Sequence, residues 1–143
     1  MIDRTRQLLW HGMLLFLLGL LTGLVGQKFT NPRMGLAAHL EGVMNGTFLL
    51  ALGAAWREVR LPSRWNATAY WLALSGTYGN WASTTLAAIF GTAAMTPIAA
   101  GEHAGQRWQE AVVTFGFIST GLAILVAVII LLAGFRRQRP EGP

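Results

Sequence analysis

The chain has 143 residues, 53% of them hydrophobic and only 12% charged, with a formal net charge of +5 and no cysteine. A soluble domain carries about 25% charged residues, so a soluble module is excluded, and the absent thiol excludes disulfides, thiolate nucleophiles and iron–sulfur clusters. The positive balance does not read as nucleic-acid binding, because the basic residues flank apolar runs, where they act as topology signals.

The first apolar run covers residues 8–25, preceded by Asp3, Arg4 and Arg6 and followed by Gln27, Lys28 and the turn signal Asn31-Pro32. No cleavage-site pattern follows it, so it reads as a retained span and not as a signal peptide. The second span, 35–56, contains the most informative stretch, MGLAAHLEGVMNGTFLLALGA over 34–54. It carries His39, Glu41 and Asn45 at membrane depth, where each must be hydrogen-bonded, paired or coordinated. A basic link with a proline, 57–64, leads to a third span at 67–91. Trp65, Tyr70 and Trp71 are its interfacial anchors, and Ser75, Thr77, Tyr78, Asn80, Ser83, Thr84 and Thr85 crowd its middle. A loop over 92–109 holds Pro97, Glu102, His103 and Arg107, and a fourth span follows at 110–135. The basic tail from Arg136 reads as disordered.

Arg4, Arg6, Arg57, Arg60, Arg64, Arg136, Arg137 and Arg139 fall on one side of this pattern, against Lys28, Arg33 and Arg107 on the other. The asymmetry predicts both termini in the cytoplasm. The expected architecture is all-α: one polytopic membrane domain over 1–143, a four-helix bundle, multi-pass in a bacterial inner membrane and surrounded by lipid. The two halves show no repeat, which gives no support to an inverted-repeat transporter.

On a helix, Gly35, His39, Gly42, Gly46 and Gly53 fall on one stripe. Read from the residues alone, the stripe serves close helix packing, Gly42 and Gly46 forming a GxxxG pair. The sharper reading is a flat face for a planar ligand such as haem, with His39 as axial ligand and Gly42 and Gly46 beneath it. No second His, Cys or Asp sits at metal spacing, which argues against zinc. Glu41 and Asn45, four residues apart, share another face; they either join helices or form a polar pocket floor. Tyr78, Asn80 and Trp81 in TYGNWAS suit an aromatic ligand bearing a polar group. His11 reads as interfacial, and His103 as solvated.

At this point NPRMGLAAHLEGVMNGTFLLALGA and TYGNWAS resemble the hydroxylaminobenzene mutases, small four-helix membrane enzymes related to styrene oxide isomerase. The resemblance covers spans one to three, and His39 followed six residues later by Asn45 is its most specific element. It implies an isomerase that moves an oxygen within one small aromatic molecule without net redox change. It also implies ferric haem b as a Lewis acid, held between subunits of a homotrimer with His39 as the iron's axial ligand and Asn45 near the substrate. Where the related isomerase has an aspartate and a tyrosine, this chain has Gly79 and Ala87, which favours the mutase branch over epoxide isomerisation.

The reading is therefore an isomerase that converts arylhydroxylamines to aminophenols, with Asn45, Tyr78 and Asn80 orienting the substrate; the roles of Tyr78 and Asn80 are inferred and not carried over. The alternatives are an epoxide-to-aldehyde isomerase, a b-type cytochrome using His11 and His39, and a non-catalytic helix assembly. The cytochrome is disfavoured because the two histidines sit near opposite ends of antiparallel spans.

Overall fold

The computed structural model describes residues 3–136, and among these the chain is helical without strands. Four long helices, α1 (Arg4–Val25), α2 (Pro32–Ala55), α3 (Ser63–Phe90) and α5 (Arg107–Arg136), are joined by short connections, one of which contains the single-turn α4 (Pro97–Ala100). The tail expected to be disordered lies, from residue 137, outside the described residues.

The helices start earlier than the apolar runs because their caps lie in the polar flanks. The Asp3 carboxylate accepts from the Thr5 amide at 3.1 Å and opens α1 one turn before Leu8. Asn31 caps α2 by accepting from the Met34 amide at 3.2 Å, with Pro32 at the first helical position. Gly91 closes α3 at φ +67°, a left-handed conformation that suits glycine. The loop before α5 is gathered by one side chain: Glu110 accepts from the amides of Ala93, Ala94 and Gly105 at 2.9–3.0 Å.

α1 and α5 are long and apolar enough to cross a membrane. With 24 and 28 residues, α2 and α3 reach about 36 and 42 Å at 1.5 Å per residue, but they carry the polar groups. Neighbouring helices run antiparallel. Gly12 of α1 lies against Gly46 and Leu50 of α2, Gly19 against Gly42, and Gly26 against Gly35. On the other side, Gly76, Gly79 and Ser83 of α3 meet Ile124, Thr120 and Gly116 of α5. One core joins all four long helices through Leu15, Leu49, Tyr70, Leu74, Ala127 and Leu131; a second, around Met34, Ala87, Ala88 and Val113, fills the opposite end.

The start of α1, the link after α2 and the end of α5 meet at one end of the molecule. Arg4 donates to the Asn66 side chain there, and the Arg60 amide donates to the Gly134 carbonyl at 3.2 Å. The described members of the basic set Arg4, Arg6, Arg57, Arg60, Arg64 and Arg136 thus share that end. At the other end, Asn31 ties the loops together, its amide nitrogen donating to Ala99 O at 2.9 Å and its backbone amide to Ala88 O at 3.0 Å.

Candidate active site

The glycine stripe of α2 faces α1 along its whole length. A Cβ at Gly46 would come within 2.8 Å of the Gly12 carbonyl, and one at Gly19 within 2.6 Å of the Val43 amide. Both distances are below van der Waals contact, so the two backbones touch. This corrects the expectation that Gly42 and Gly46 form a flat bed for a planar ligand. Gly42 is buried against Gly19 and Trp81, and Gly46 is buried against Gly12 and Phe16. α1 occupies the face that such a ligand would need.

His39 is on the same stripe, and α1 sets its orientation. Its Nδ1 lies 2.8 Å from the Gly19 carbonyl oxygen. A carbonyl can only accept, so Nδ1 is the donor, and in the neutral tautomer Nε2 is the nitrogen with the lone pair. Gly23, one turn further along α1, leaves room for the ring: a Cβ there would sit 2.7 Å from His39 Nδ1. The half-buried imidazole borders an open apolar cleft of about 600 Å³, walled by Leu20, Gly23, Leu24, Gly35 and Leu36. An imidazole whose Nδ1 is held by a backbone carbonyl beside an apolar groove is the donor set that a haem requires, so the residues present fit that group.

Asn45 does not share this cleft. It projects from another side of α2 and donates from Nδ2 to Glu41 Oε2 at 3.0 Å. Asn80 of α3 donates from its own Nδ2 to the same oxygen. Glu41, Asn45 and Asn80 are all half-buried, and together they form a carboxylate–diamide cluster across the α2–α3 seam. The sequence pairs Glu41 with Asn45 by spacing, whereas only the fold supplies Asn80.

Tyr78 stands apart from Asn80, contrary to the expectation that the two act on one ligand. Two residues along a helix turn the side chain by about 200°, and Tyr78 faces α1. Its hydroxyl donates to the His11 carbonyl at 3.2 Å, and His11 Nδ1 lies 3.2 Å from the Tyr78 hydroxyl oxygen. His11, read from sequence as interfacial, is thus half-buried and paired. It also lines a wider cleft of about 850 Å³ with Arg4, Trp56, Tyr70 and Trp71 at the end that carries the basic residues.

Trp81 makes a further link that the sequence does not reveal. Its indole donates to Thr22 Oγ1 at 3.1 Å, while the Thr22 hydroxyl donates to Leu18 O at 2.8 Å. Gly79 faces α5, where a Cβ would overlap the Thr120 methyl, and Ala87 is fully buried in the second core. A longer side chain at Gly79 would displace Thr120, and one at Ala87 would enter a fully buried position.

Three comparisons bear on this arrangement. A family model described as styrene oxide isomerase matches residues 4–136. Hydroxylaminobenzene mutase HabB of Ectopseudomonas oleovorans is 48% identical over 96% of this chain and 87% of its own length. Hydroxylaminobenzene mutase HabA of the same organism is 47% identical over 88% of this chain and 94% of its own. No solved structure matches.

Proposed function

The chain belongs to the styrene oxide isomerase family, and from that premise we propose that this isomerase converts arylhydroxylamines to aminophenols by intramolecular hydroxyl transfer. In this reading it is a single four-span membrane domain with both termini cytoplasmic, placed in a bacterial inner membrane. The clustering of the described arginines at one end of the helices supports that orientation.

The observation that carries the proposal is the constellation on α2. His39 borders an apolar cleft with its Nδ1 tied to α1, and the polar pair Asn45 and Asn80 is held together by Glu41 across the α2–α3 seam. His39 would hold ferric haem b through Nε2, against walls supplied by Leu20, Gly23 and Leu36. When bound, haem supplies Lewis-acid polarisation of the hydroxylamine N–O bond. The chain's own residues do the rest. Asn45 and Asn80 bind the polar end of the substrate and fix the angle of its ring. The apolar helix surfaces exclude water, which would otherwise intercept a cationic ring. The N–O bond breaks, a C–O bond forms at the ring, and the displaced ring proton ends on nitrogen, so no electron enters or leaves.

His39 and Asn45 diverge within one chain. A site between copies of a homotrimer, as the resemblance implies, is the arrangement that brings both to one ligand. Epoxide isomerisation is the second reading and is disfavoured because Gly79 and Ala87 stand where the related isomerase has an aspartate and a tyrosine, Gly79 against Thr120 and Ala87 fully buried.

The test is purified, haem-supplemented protein given phenylhydroxylamine, with aminophenol as the readout. An absorption spectrum of the native protein and of His39→Ala accompanies it. Product together with a Soret band lost in the variant is the expected result; unchanged substrate rejects the reaction, and a Soret band retained by His39→Ala rejects the ligand.

A further inference from the structure

Glu41 has no part in the mechanism above, yet it is the hub of the amide cluster. A single oxygen, Oε2, accepts from Nδ2 of Asn45 at 3.0 Å and from Nδ2 of Asn80. One donor comes from a neighbouring turn of α2 and the other from α3, so their convergence is not an accident of local helix geometry. An unprotonated carboxylate oxygen only accepts, and a carboxylic acid with its proton on Oε1 still accepts at Oε2. With Oε2 as the acceptor, both asparagines turn their NH2 groups to Glu41. Each planar amide then directs its Oδ1 away from the carboxylate.

We infer that Glu41 is a specificity-setting positioning residue: it locks Asn45 and Asn80 in the flip that offers two carbonyl acceptors, so that the site selects aromatic ligands whose polar group donates hydrogen bonds. The inference rests on the reaction proposed above and deepens it. The hydroxylamino group carries one N–H and one O–H, which are two donors for two acceptors. An epoxide or a nitroso group has only acceptors and would face two carbonyl oxygens. Sites built to hydrogen-bond a ligand reject analogues that lack the matching group, because the site's own polar atoms are left unpaired. Without Glu41, nothing in the cluster distinguishes one amide flip from the other, and both asparagines would accommodate donors and acceptors alike.

The experiment uses the full-length protein in detergent micelles and two ligands of similar size, phenylhydroxylamine as donor and nitrosobenzene as donor-free competitor. The native protein, Glu41→Gln and Glu41→Leu are compared by kcat and KM for the first ligand and inhibition constant for the second. Glu41→Leu should raise KM by about tenfold while the nitrosobenzene inhibition constant stays level or falls, the worth of roughly one hydrogen bond in discrimination. Glu41→Gln keeps an acceptor oxygen and should retain the native preference within about threefold. A purely structural role would weaken both ligands together. An unchanged preference in Glu41→Leu, or its loss in Glu41→Gln to the same extent, overturns the inference. Equilibrium dialysis of aniline against nitrosobenzene separates this outcome from failure of the reaction. If the native protein leaves phenylhydroxylamine unchanged, a preference for aniline that Glu41→Leu abolishes still supports the positioning role, and no preference rejects it.

Discussion

His39 donates its Nδ1 proton to the backbone carbonyl of Gly19 at 2.8 Å, and this one contact sets both the tautomer and the direction of the imidazole. Because the acceptor is backbone, no single side-chain deletion removes it. The packing of α1 against α2 carries it.

Gly23 is the position from which this arrangement is most readily disturbed. It is exposed, so a side chain there does not disrupt a core, yet its Cβ would press on His39 Nδ1 at 2.7 Å. Gly23→Val is expected to swing the ring and lower haem occupancy several-fold while the helices stay folded. The ratio of Soret to protein absorbance, measured beside far-ultraviolet circular dichroism, checks both halves.

Gly19 and Gly121 should respond to the same substitution in opposite directions. A Cβ at Gly19 meets the Val43 amide at 2.6 Å, and overpacking of this kind costs about 1–3 kcal/mol. Gly121 lies exposed within α5, and nothing lies within 4 Å of where a Cβ would sit. Alanine there gains about 0.5–1 kcal/mol of helix propensity. Thermal melting in detergent should therefore fall for Gly19→Ala and hold or rise for Gly121→Ala.

Tyr78 and Asn80 separate a structural role from a binding one. Tyr78→Phe removes a hydroxyl that bridges α3 to His11 and should cost about 1 kcal/mol or less of stability, with kcat/KM for phenylhydroxylamine within about threefold of native. Asn80→Ala removes a proposed substrate contact and should lower kcat/KM by about tenfold or more. Equal losses in the two variants would return Tyr78 to the substrate site.

Restoring the polar residues of the related isomerase should not bring epoxide chemistry. Gly79→Asp drives a carboxylate into Thr120 of α5, and Ala87→Tyr forces a phenol into a fully buried site. Each is expected to lower the melting temperature by several degrees, the effect of roughly 1–3 kcal/mol of overpacking. Neither should convert styrene oxide to an aldehyde, which gas chromatography of the product measures directly.

Residue spacing exposes much of this, and the limit of what it exposes is physical. The four long helices follow from the apolar runs, and their ends shift outward only because Asp3 and Asn31 cap from polar flanks. Gly35, His39, Gly42, Gly46 and Gly53 share a face by helical period alone, and that face is the one turned to α1. Spacing does not say which neighbour a face will meet. So the stripe, read first as helix packing, also admits a ligand, and neither the Glu41–Asn80 contact nor the Thr22–Trp81 and His11–Tyr78 links follow from spacing. The divergence of Tyr78 from Asn80 was legible, since two residues on a helix cannot point together.

The backbone contact between α1 and α2 also divides the molecule into parts that can vary separately. His39 belongs to a seam where glycines on both sides forbid sliding, so its height and rotation are inherited from the pair as a unit. Asn80 is borne by α3, which meets α2 through side chains. Exchange of residues on α3 can thus reshape substrate choice while the imidazole keeps its place, and a lineage built on this frame can diversify its chemistry without first having to rebuild its anchor.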